Sequence, residues 1–524
     1  MKNVWVVLAI TASSIPLLMG GCSQSRSGDG GLSPFGVLTH LEGGGENNTM
    51  IGHLDLVAKM GARWNRTDFS WSYIEHPQGK WSFETHDRVV DRLLEQQIQP
   101  LGILLYDVPW AHPAHKHLDA WLTYVEQTVT HFKGRVRYWE VWNEPNLNQF
   151  WENPDGADYA LLLKATYAKI KAIDPELTVL YGGTSGIPLA FIEKSFKAGA
   201  ADCFDGFAFH PYRGEFVSME RVTGYCQEME GLKRLMEKYG AGDRKLWITE
   251  MGLSSWQTVN ASTVDAFCEM KRQKEPEKPW KLALFYDDSY PGGNVMTAGE
   301  VMALFEDREG FSIDNLGYPD LTAVDVSRYD AVLSPMMENY PALMFDRVLS
   351  PSVGYMYFRG RMYFYGASVT EEAQARFLPQ AILLSVRFGV ERFIWYEFHS
   401  SEHNPFEREY FFSLVHHPNL EPKPAYYAYQ TLAGVFPEGS RLDTSVEWNR
   451  TDFCAVSWIH PDGTHAWAVW TPSGTKQASV KIGRGFLKAL DYTGKPLPVT
   501  ADTQTLELTP GITYLVGPRT LEIK

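Results

Sequence analysis

The chain has 524 residues, 44% of them hydrophobic and 21% charged, an ordinary globular balance with length for two or three domains. A formal net charge of −15 repels phosphate backbones and excludes DNA or RNA as an expected partner. Aromatic residues reach 14%, with 17 Trp, which fits either a sugar cleft walled by rings or the filled interior of a large barrel.

Residues 1–22 read as a lipoprotein signal peptide. Lys2 gives a basic start, and Val4–Leu18 is apolar but too short to span a bilayer. Leu18-Met-Gly-Gly-Cys22 resembles a bacterial lipobox, with Met19 departing slightly from its pattern. Cys22 is thus the expected acylated N-terminus, anchoring an exported protein to the cell envelope. An ordinary signal peptide is the alternative. Residues 23–34, rich in Ser and Gly, read as a flexible linker.

From Phe35 short apolar runs alternate with amphipathic helical stretches. Strands are expected at 35–42, 62–69, 100–108, the run ending at Glu144, 178–184, 204–210 and 246–250. Helices are expected at 54–61, 86–97, 118–132, 159–173, 191–198 and 219–239. Seven strand–helix units in series predict a parallel sheet, and an eighth would close a (β/α)8 barrel. That unit is delayed. Residues 263–366 instead predict an inserted doubly wound α/β domain, with strands at 281–287, 311–316 and 329–335, helices at 295–309 and 342–349, and short runs at 356–358 and 361–365. The pattern then resumes with a helix at 370–389, an eighth strand at Arg392–Glu397 and a helix at 424–435. The expected α/β architecture is therefore a TIM barrel over 35–262 and 367–436, interrupted after strand seven. Residues 437–524 hold short alternating runs at 455–458, 465–470, 478–482 and 505–508, some separated by turn signals such as Pro461-Asp-Gly463, and read as a β-sandwich.

Two glutamates stand out. The run Tyr138-Trp-Glu-Val-Trp-Asn-Glu-Pro-Asn146 is a buried-strand pattern that Pro145 brings to an end. Glu144 at its close is costly unless that end opens into a polar cleft. Lys245-Leu-Trp-Ile-Thr-Glu250-Met-Gly252 repeats the arrangement. Strand ends on one face of a barrel converge, so the pair can flank a glycosidic bond. One carboxyl would protonate the leaving oxygen. The other, at roughly 5–5.5 Å, would attack the anomeric carbon. Arg66, at the end of strand two, and Tyr212, just past strand six, are candidate donors to keep Glu250 ionised. Glu140, inside the fourth strand, reads as a buried structural carboxylate.

These segments carry a resemblance. Trp64-Asn-Arg-Thr-Asp-Phe-Ser-Trp-Ser-Tyr-Ile-Glu75, Trp142-Asn-Glu-Pro145, Phe209-His-Pro-Tyr212, Trp247-Ile-Thr-Glu-Met-Gly252 and Trp395-Tyr-Glu397 resemble a clan A glycoside hydrolase. The likeness is greatest to family 39, the β-xylosidase and exopolysaccharide-glycosidase group. The resemblance implies Glu144 as acid/base and Glu250 as nucleophile of a retaining β-glycosidase, with no cofactor. It implies that Asn143 bonds the sugar 2-hydroxyl, that Arg66 and Tyr212 orient Glu250, that His210 lines the sugar site and that Trp395 is its stacking floor. Trp110 and Trp151 are further platform candidates. The expected partner is an oligo- or polysaccharide.

The inserted unit resembles a class I glutamine-amidotransferase-like domain, such as one that serves assembly in some β-galactosidases. Where an active amidotransferase presents cysteine, this chain has Ser334-Pro-Met336, and no cysteine lies between Lys281 and Gly366. The unit is therefore expected to be non-catalytic. Two roles are open, walling the cleft or mediating a homo-oligomer. Of the five cysteines none forms a CxxC pair. Cys203 and Cys226 are a conceivable disulfide, with buried free thiols the expectation. The cluster His399, Glu402, His403, His416 and His417 lacks an HExxH spacing, and no metal centre is expected there. The competing readings are a non-catalytic surface glycan-binding lipoprotein, an endo-acting exopolysaccharide hydrolase, and a transglycosidase using the same glutamates.

Overall fold

The computed structural model describes residues 33–41, 53–255, 277–284, 298–306, 308–317, 328–333, 369–400, 411–416, 419–446, 453–481, 488–498, 503–517 and 522–523. Cys22, linker residues 23–32, Ser334–Met336, Glu402, His403 and His417 lie outside them, as do the expected helix at 342–349 and the runs at 356–358 and 361–365.

Eight parallel strands close a barrel: β1 (Phe35–Leu38), β2 (Trp64–Ser70), β3 (Gln99–Leu105), β4 (Tyr138–Asn143), β5 (Thr178–Ser185), β6 (Gly206–His210), β7 (Lys245–Met251) and β11 (Val390–Trp395). β11 lies between β7 and β1, so it supplies the eighth stave. The helices α1 (Leu54–Met60), α2 (Trp71–Ile74), α3 (Glu84–Glu95), α4 (Leu118–His131), α5 (Gly156–Ile173), α6 (Leu189–Lys197) and α7 (Met219–Lys238) come between these strands in the chain. α9 (Glu371–Arg387) and α10 (Pro424–Val435) complete the set on either side of β11. Local chemistry sets their starts. Asp155, Ser218 and Thr370 each accept a backbone N–H in the first turn of α5, α7 and α9, which satisfies donors the helix cannot.

The barrel interior is plugged by one layer with a residue from every strand: Leu38, Trp64, Leu101, Tyr138, Leu180, Ala208, Trp247 and Ile394. Trp64 sits edge-on to Tyr138 at 4.7 Å and to Trp247 at 5.1 Å. Because strand side chains alternate, residues two further along each strand point the same way, toward the C-terminal mouth. That next layer includes His40, Arg66, Glu140, His210, Thr249 and Tyr396. An apolar plug beneath a charged layer is what a packed barrel with a polar mouth requires.

Between β7 and α9 in the chain, β8 (Trp280–Leu284), β9 (Phe311–Asn315) and β10 (Ala331–Leu333) form a parallel sheet in the order β10-β8-β9, with α8 (Ala298–Glu306) between β8 and β9. C-terminal to the barrel, two antiparallel sheets follow. One is β12 (Arg441–Leu442), β13 (Cys454–Ile459), β14 (His465–Trp470), β18 (Thr513–Gly517) and β16 (Lys488–Asp491), in that order. The other is β17 (Thr503–Leu508), β15 (Lys476–Lys481) and β19 (Glu522–Ile523). Sequence periodicity overlooks β18, since every residue of this strand, paired on both sides, is buried and no alternation shows. Trp458 Nε1 donates to the carbonyl of Val435 and Gln380 Nε2 to that of Pro510, tying the sheet to the barrel helices.

Cys203, Cys226 and Cys454 are free thiols, and burial pushes the Cys454 thiol up to about 12. Among the described residues no group of three or more His, Cys, Asp or Glu could hold a metal ion. None of the described helices is long and apolar enough to cross a membrane.

Candidate active site

The mouth of the barrel is organised by Arg66, which is 3% exposed. Its guanidinium donates from Nε to Glu140 Oε2 at 2.9 Å and from Nη2 to Glu140 Oε1 at 3.2 Å, a bidentate pair. Nη1 donates to Glu250 Oε2 at 3.0 Å and Nη2 to Asn143 Oδ1 at 2.9 Å. Burial works against its charge, but the Glu140 and Glu250 carboxylates outweigh that and hold the guanidinium firmly protonated. Glu250 receives a second donor on its other oxygen, the Tyr212 hydroxyl at 2.8 Å.

Regular alternation would not let Glu140 and Asn143, three residues apart, reach one arginine. Trp142 intervenes with φ 72° and Glu144 follows with φ 43°, both in the left-handed region that non-glycine residues avoid. Such backbone conformations persist only where the surroundings impose them, here with the Glu144 N–H held by the Gly183 carbonyl at 2.8 Å. β7 makes a similar break. Its register against β11 shifts between Ile248 and Met251, and adjacent Thr249 and Glu250 both make contacts in the mouth.

Behind the two glutamates runs a buried hydrogen-bond chain. Glu140 Oε1 accepts from Arg66, from the Gly183 N–H at 2.8 Å and from the Thr249 hydroxyl at 3.1 Å. The single Thr249 proton is therefore committed, and its oxygen must accept from His210 Nε2 at 3.1 Å. The proton on His210 is thereby assigned to Nε2 from the network. His210 Nδ1 faces Glu144 Oε1 at 3.0 Å. A neutral ring can only accept there, so the contact requires one proton between Nδ1 and the Glu144 carboxyl. His210 Nδ1 also lies 3.9 Å from Glu250 Oε2. These two distances bound the separation of the facing Glu144 and Glu250 oxygens at their sum, 6.9 Å, reached only if the three atoms were collinear.

The structure thus brings Glu144, Glu250, Asn143, Arg66, His210 and Tyr212 together. Two expected placements differ. His210 is 0% exposed and backs Glu144, whereas it was expected to line the sugar site. Trp395 is 0% exposed and packs in the core near Phe377 of α9, at 6.3 Å, so it cannot floor the site. The reason is alternation: Ile394 belongs to the interior plug, so Trp395 points outward and Tyr396 inward. Tyr396 sits edge-on to Tyr212 at 6.2 Å, to Phe412 at 5.4 Å and to His40 at 5.8 Å. Trp151 is 5% exposed and stacked on His115, and Trp110 packs against the core.

Several site residues escaped the sequence reading: Thr249, Gly183, Tyr396, His40 and Tyr106. Burial lowers the His40 imidazole, against the pull of Asp68 and Glu250. Burial and the Asp68 charge raise the Tyr106 hydroxyl. Gly183 had a visible signal in the Gly182-Gly183 pair. A Cβ there would meet His210 Nε2 at 2.1 Å and Glu140 Oε1 at 2.8 Å, so only glycine admits the network.

No protein-family model matches the chain. Over 126 residues it is 31% identical to a beta-xylosidase of Geobacillus stearothermophilus, covering 22% of this chain and 25% of that protein. Over 173 residues it is 28% identical to a protein of Oryza sativa subsp. japonica named "Probable inactive beta-glucosidase 14", covering 28% and 32%. The chain therefore spans about a quarter to a third of the length of these curated relatives. Among solved structures, a family 39 glycoside hydrolase from the gut symbiont Bacteroides cellulosilyticus WH2 matches with a TM-score of 0.62 at 19% identity, over 92% of this chain and 80% of that one. The chain has the fold of that family 39 glycoside hydrolase.

Proposed function

We propose that the protein is a retaining β-glycosidase of the clan A, family 39-like kind, with Glu250 as nucleophile and Glu144 as acid/base. The observation that carries this is the asymmetry of two carboxyls meeting at one imidazole nitrogen. Glu250 accepts from Arg66 and Tyr212, donors that favour a carboxylate. Glu144 faces His210 across a contact that holds a proton. Their separation bound of 6.9 Å falls at the low edge of the roughly 6.5–9.5 Å of inverting enzymes and admits the shorter retaining distance.

In the first step a Glu250 oxygen bonds to the anomeric carbon as the glycosidic C–O bond breaks, and Glu144 gives its proton to the departing oxygen. In the second, Glu144 takes a proton from water, whose oxygen displaces Glu250 and leaves the original configuration. Asn143, fixed by Arg66, is positioned to bond the sugar 2-hydroxyl, and Tyr396 takes the platform role first assigned to Trp395. A β-xyloside or β-glucoside is the substrate class named by the matched relatives. The proposal also keeps the lipobox-like segment as an envelope anchor, and Cys22→Ser should release the protein from the membrane fraction.

Replacing Glu250 by Ala tests the assignment. Turnover of aryl β-glycosides should vanish, and azide should restore it with a product of inverted configuration, read by NMR. Full activity in Glu250→Ala overturns it. The competing reading is a glycan-binding protein without turnover; binding of oligosaccharides with no release of reducing sugar by the wild type would establish that instead.

A further inference from the structure

We propose that Gln374 is a positioning residue for the reaction: it fixes Phe412, and through Phe412 the Tyr212 ring whose hydroxyl reaches Glu250. This rests on the glycosidase reading and extends it to a helix outside the barrel interior. Gln374 is 0% exposed and closes the first turn of α9, its N–H bonded to the Thr370 carbonyl at 3.0 Å. Helices of such a barrel run back against the strands, so their first turns lie beside the mouth.

The Gln374 amide nitrogen meets three backbone carbonyls, those of Leu253 at 2.7 Å, Phe412 at 3.1 Å and Phe411 at 3.3 Å. Carbonyls only accept, so the network assigns the nitrogen end of the amide, and its two protons serve all three. Leu253 lies three residues beyond Glu250, whereas Phe411 and Phe412 belong to the chain after β11. One side chain thus ties the exit of the nucleophile strand to the opposite rim. The Phe411 carbonyl is held as well by the Ser255 N–H at 3.0 Å and by Lys423 Nζ at 3.4 Å. Removing the Gln374 donors therefore loosens Phe412 while the segment stays attached.

Phe412 is 4% exposed, edge-on to Tyr212 at 5.9 Å and to Tyr396 at 5.4 Å, and those two rings meet each other at 6.2 Å. Gly252 backs the group, since a Cβ there would collide with the Tyr396 carbonyl and meet Phe412 Cδ1 at 2.9 Å. The three rings lock one another at close-packed distances, so a shift of Phe412 is passed to Tyr212. Tyr212 in turn holds Glu250 Oε1 at 2.8 Å.

The test is a double-mutant cycle on the full-length protein, with p-nitrophenyl β-xyloside and β-glucoside as substrates. It compares wild type, Gln374→Met, Tyr212→Phe and the double variant. Methionine keeps the length of the side chain and removes its donors. Gln374→Met alone should lower kcat/KM about tenfold, but less than about twofold in the Tyr212→Phe background, where the bond it protects is already gone. Equal losses in both backgrounds, the signature of a merely structural residue, overturn the proposal, as does full activity of Gln374→Met. Phe412→Leu enters the same cycle and decides the question if Gln374→Met does not fold. A wild type that hydrolyses neither glycoside defeats the glycosidase reading and this proposal together, whereas an active wild type with equal losses defeats this proposal alone.

Discussion

Removing the His210 imidazole should damage one half of the chemistry and spare the other. His210 is 0% exposed and contacts Glu144 Oε1 at 3.0 Å, while its other nitrogen is committed to Thr249. Replacement by Ala removes a hydrogen bond to an ionisable group, a loss of about 1.5–3 kcal/mol. If that energy serves proton delivery, kcat/KM should fall about 10–150-fold for a leaving group that needs a proton. Unsubstituted phenyl β-glycoside is such a substrate; the 2,4-dinitrophenyl glycoside departs without help. The assay is therefore kcat/KM across a series of aryl β-glycosides, since this constant reports the first bond cleavage alone. The dinitrophenyl substrate should lose less than about threefold, and the dependence on leaving-group basicity should steepen. Rescue of the phenyl substrate by His210→Gln over His210→Ala would locate the effect in the hydrogen bond. A parallel loss across the whole series refutes the reasoning, because it would mean that His210 only supports the packing around Gly183 and Thr249.

Tyr212→Phe removes one of the donors to Glu250 and should lower kcat/KM by about tenfold to a hundredfold with an unchanged circular dichroism spectrum; a fall under about threefold refutes its role. Tyr396→Ala should weaken glycoside binding, whereas Trp395→Phe should lower the melting temperature and leave KM alone; the reverse pattern would restore Trp395 to the site. Lys423 is 3% exposed and donates to Ser255 Oγ at 3.2 Å, and burial lowers its ammonium from 10.5 to about 8, Glu371 and Glu397 opposing. Since the folded value is the lower, the unfolded chain binds more protons between about pH 8 and 10.5, and stability rises with pH across that window. Wild type should therefore gain about 3 kcal/mol on Lys423→Met across it, read by urea melts at matched pH, and a constant difference would refute the shift.

The barrel was legible because strands and helices alternate with strong periodicity over most of the chain, and the interruption showed as a missing eighth unit. β11 was found but framed two residues late, at Arg392–Glu397 against the observed Val390–Trp395. A run as apolar as Phe393-Ile-Trp-Tyr carries no period-2 signal, so nothing local says which ring faces in. The interior plug decides it, and that plug is made of residues from all eight strands. The glutamates were legible because a charged residue closing an apolar strand is conspicuous. Thr249 and Gly183 were not, since a threonine and a glycine in strands are ordinary until the chain brings them beside Glu140 and His210. Asn143 and Glu250 reach the centre only through irregularities at Trp142 and in the β7–β11 register, which no pattern of side chains announces.

Charge counting explains why this centre needs all of these parts. Arg66 is the cation in contact with Glu140 and Glu250, and it has no contact with Glu144. Glu140 takes both Nε and Nη2 and also accepts from Gly183 and Thr249, so it is held as a carboxylate with every donor in reach. Glu250 shares the remaining Nη1 and the Tyr212 hydroxyl. Two carboxylates thus draw on one guanidinium, and a third beside them would be unpaired in a buried site, a costly state. The single proton shared between Glu144 Oε1 and His210 Nδ1 keeps that third carboxyl from standing unpaired. Glu140 makes no contact with a sugar in this scheme, yet it fixes the Thr249 hydroxyl, hence the His210 tautomer, hence the side of the ring that meets Glu144. On the proposed assignment, the distinct roles of two chemically identical glutamates would be set by a third, four residues before the first of them.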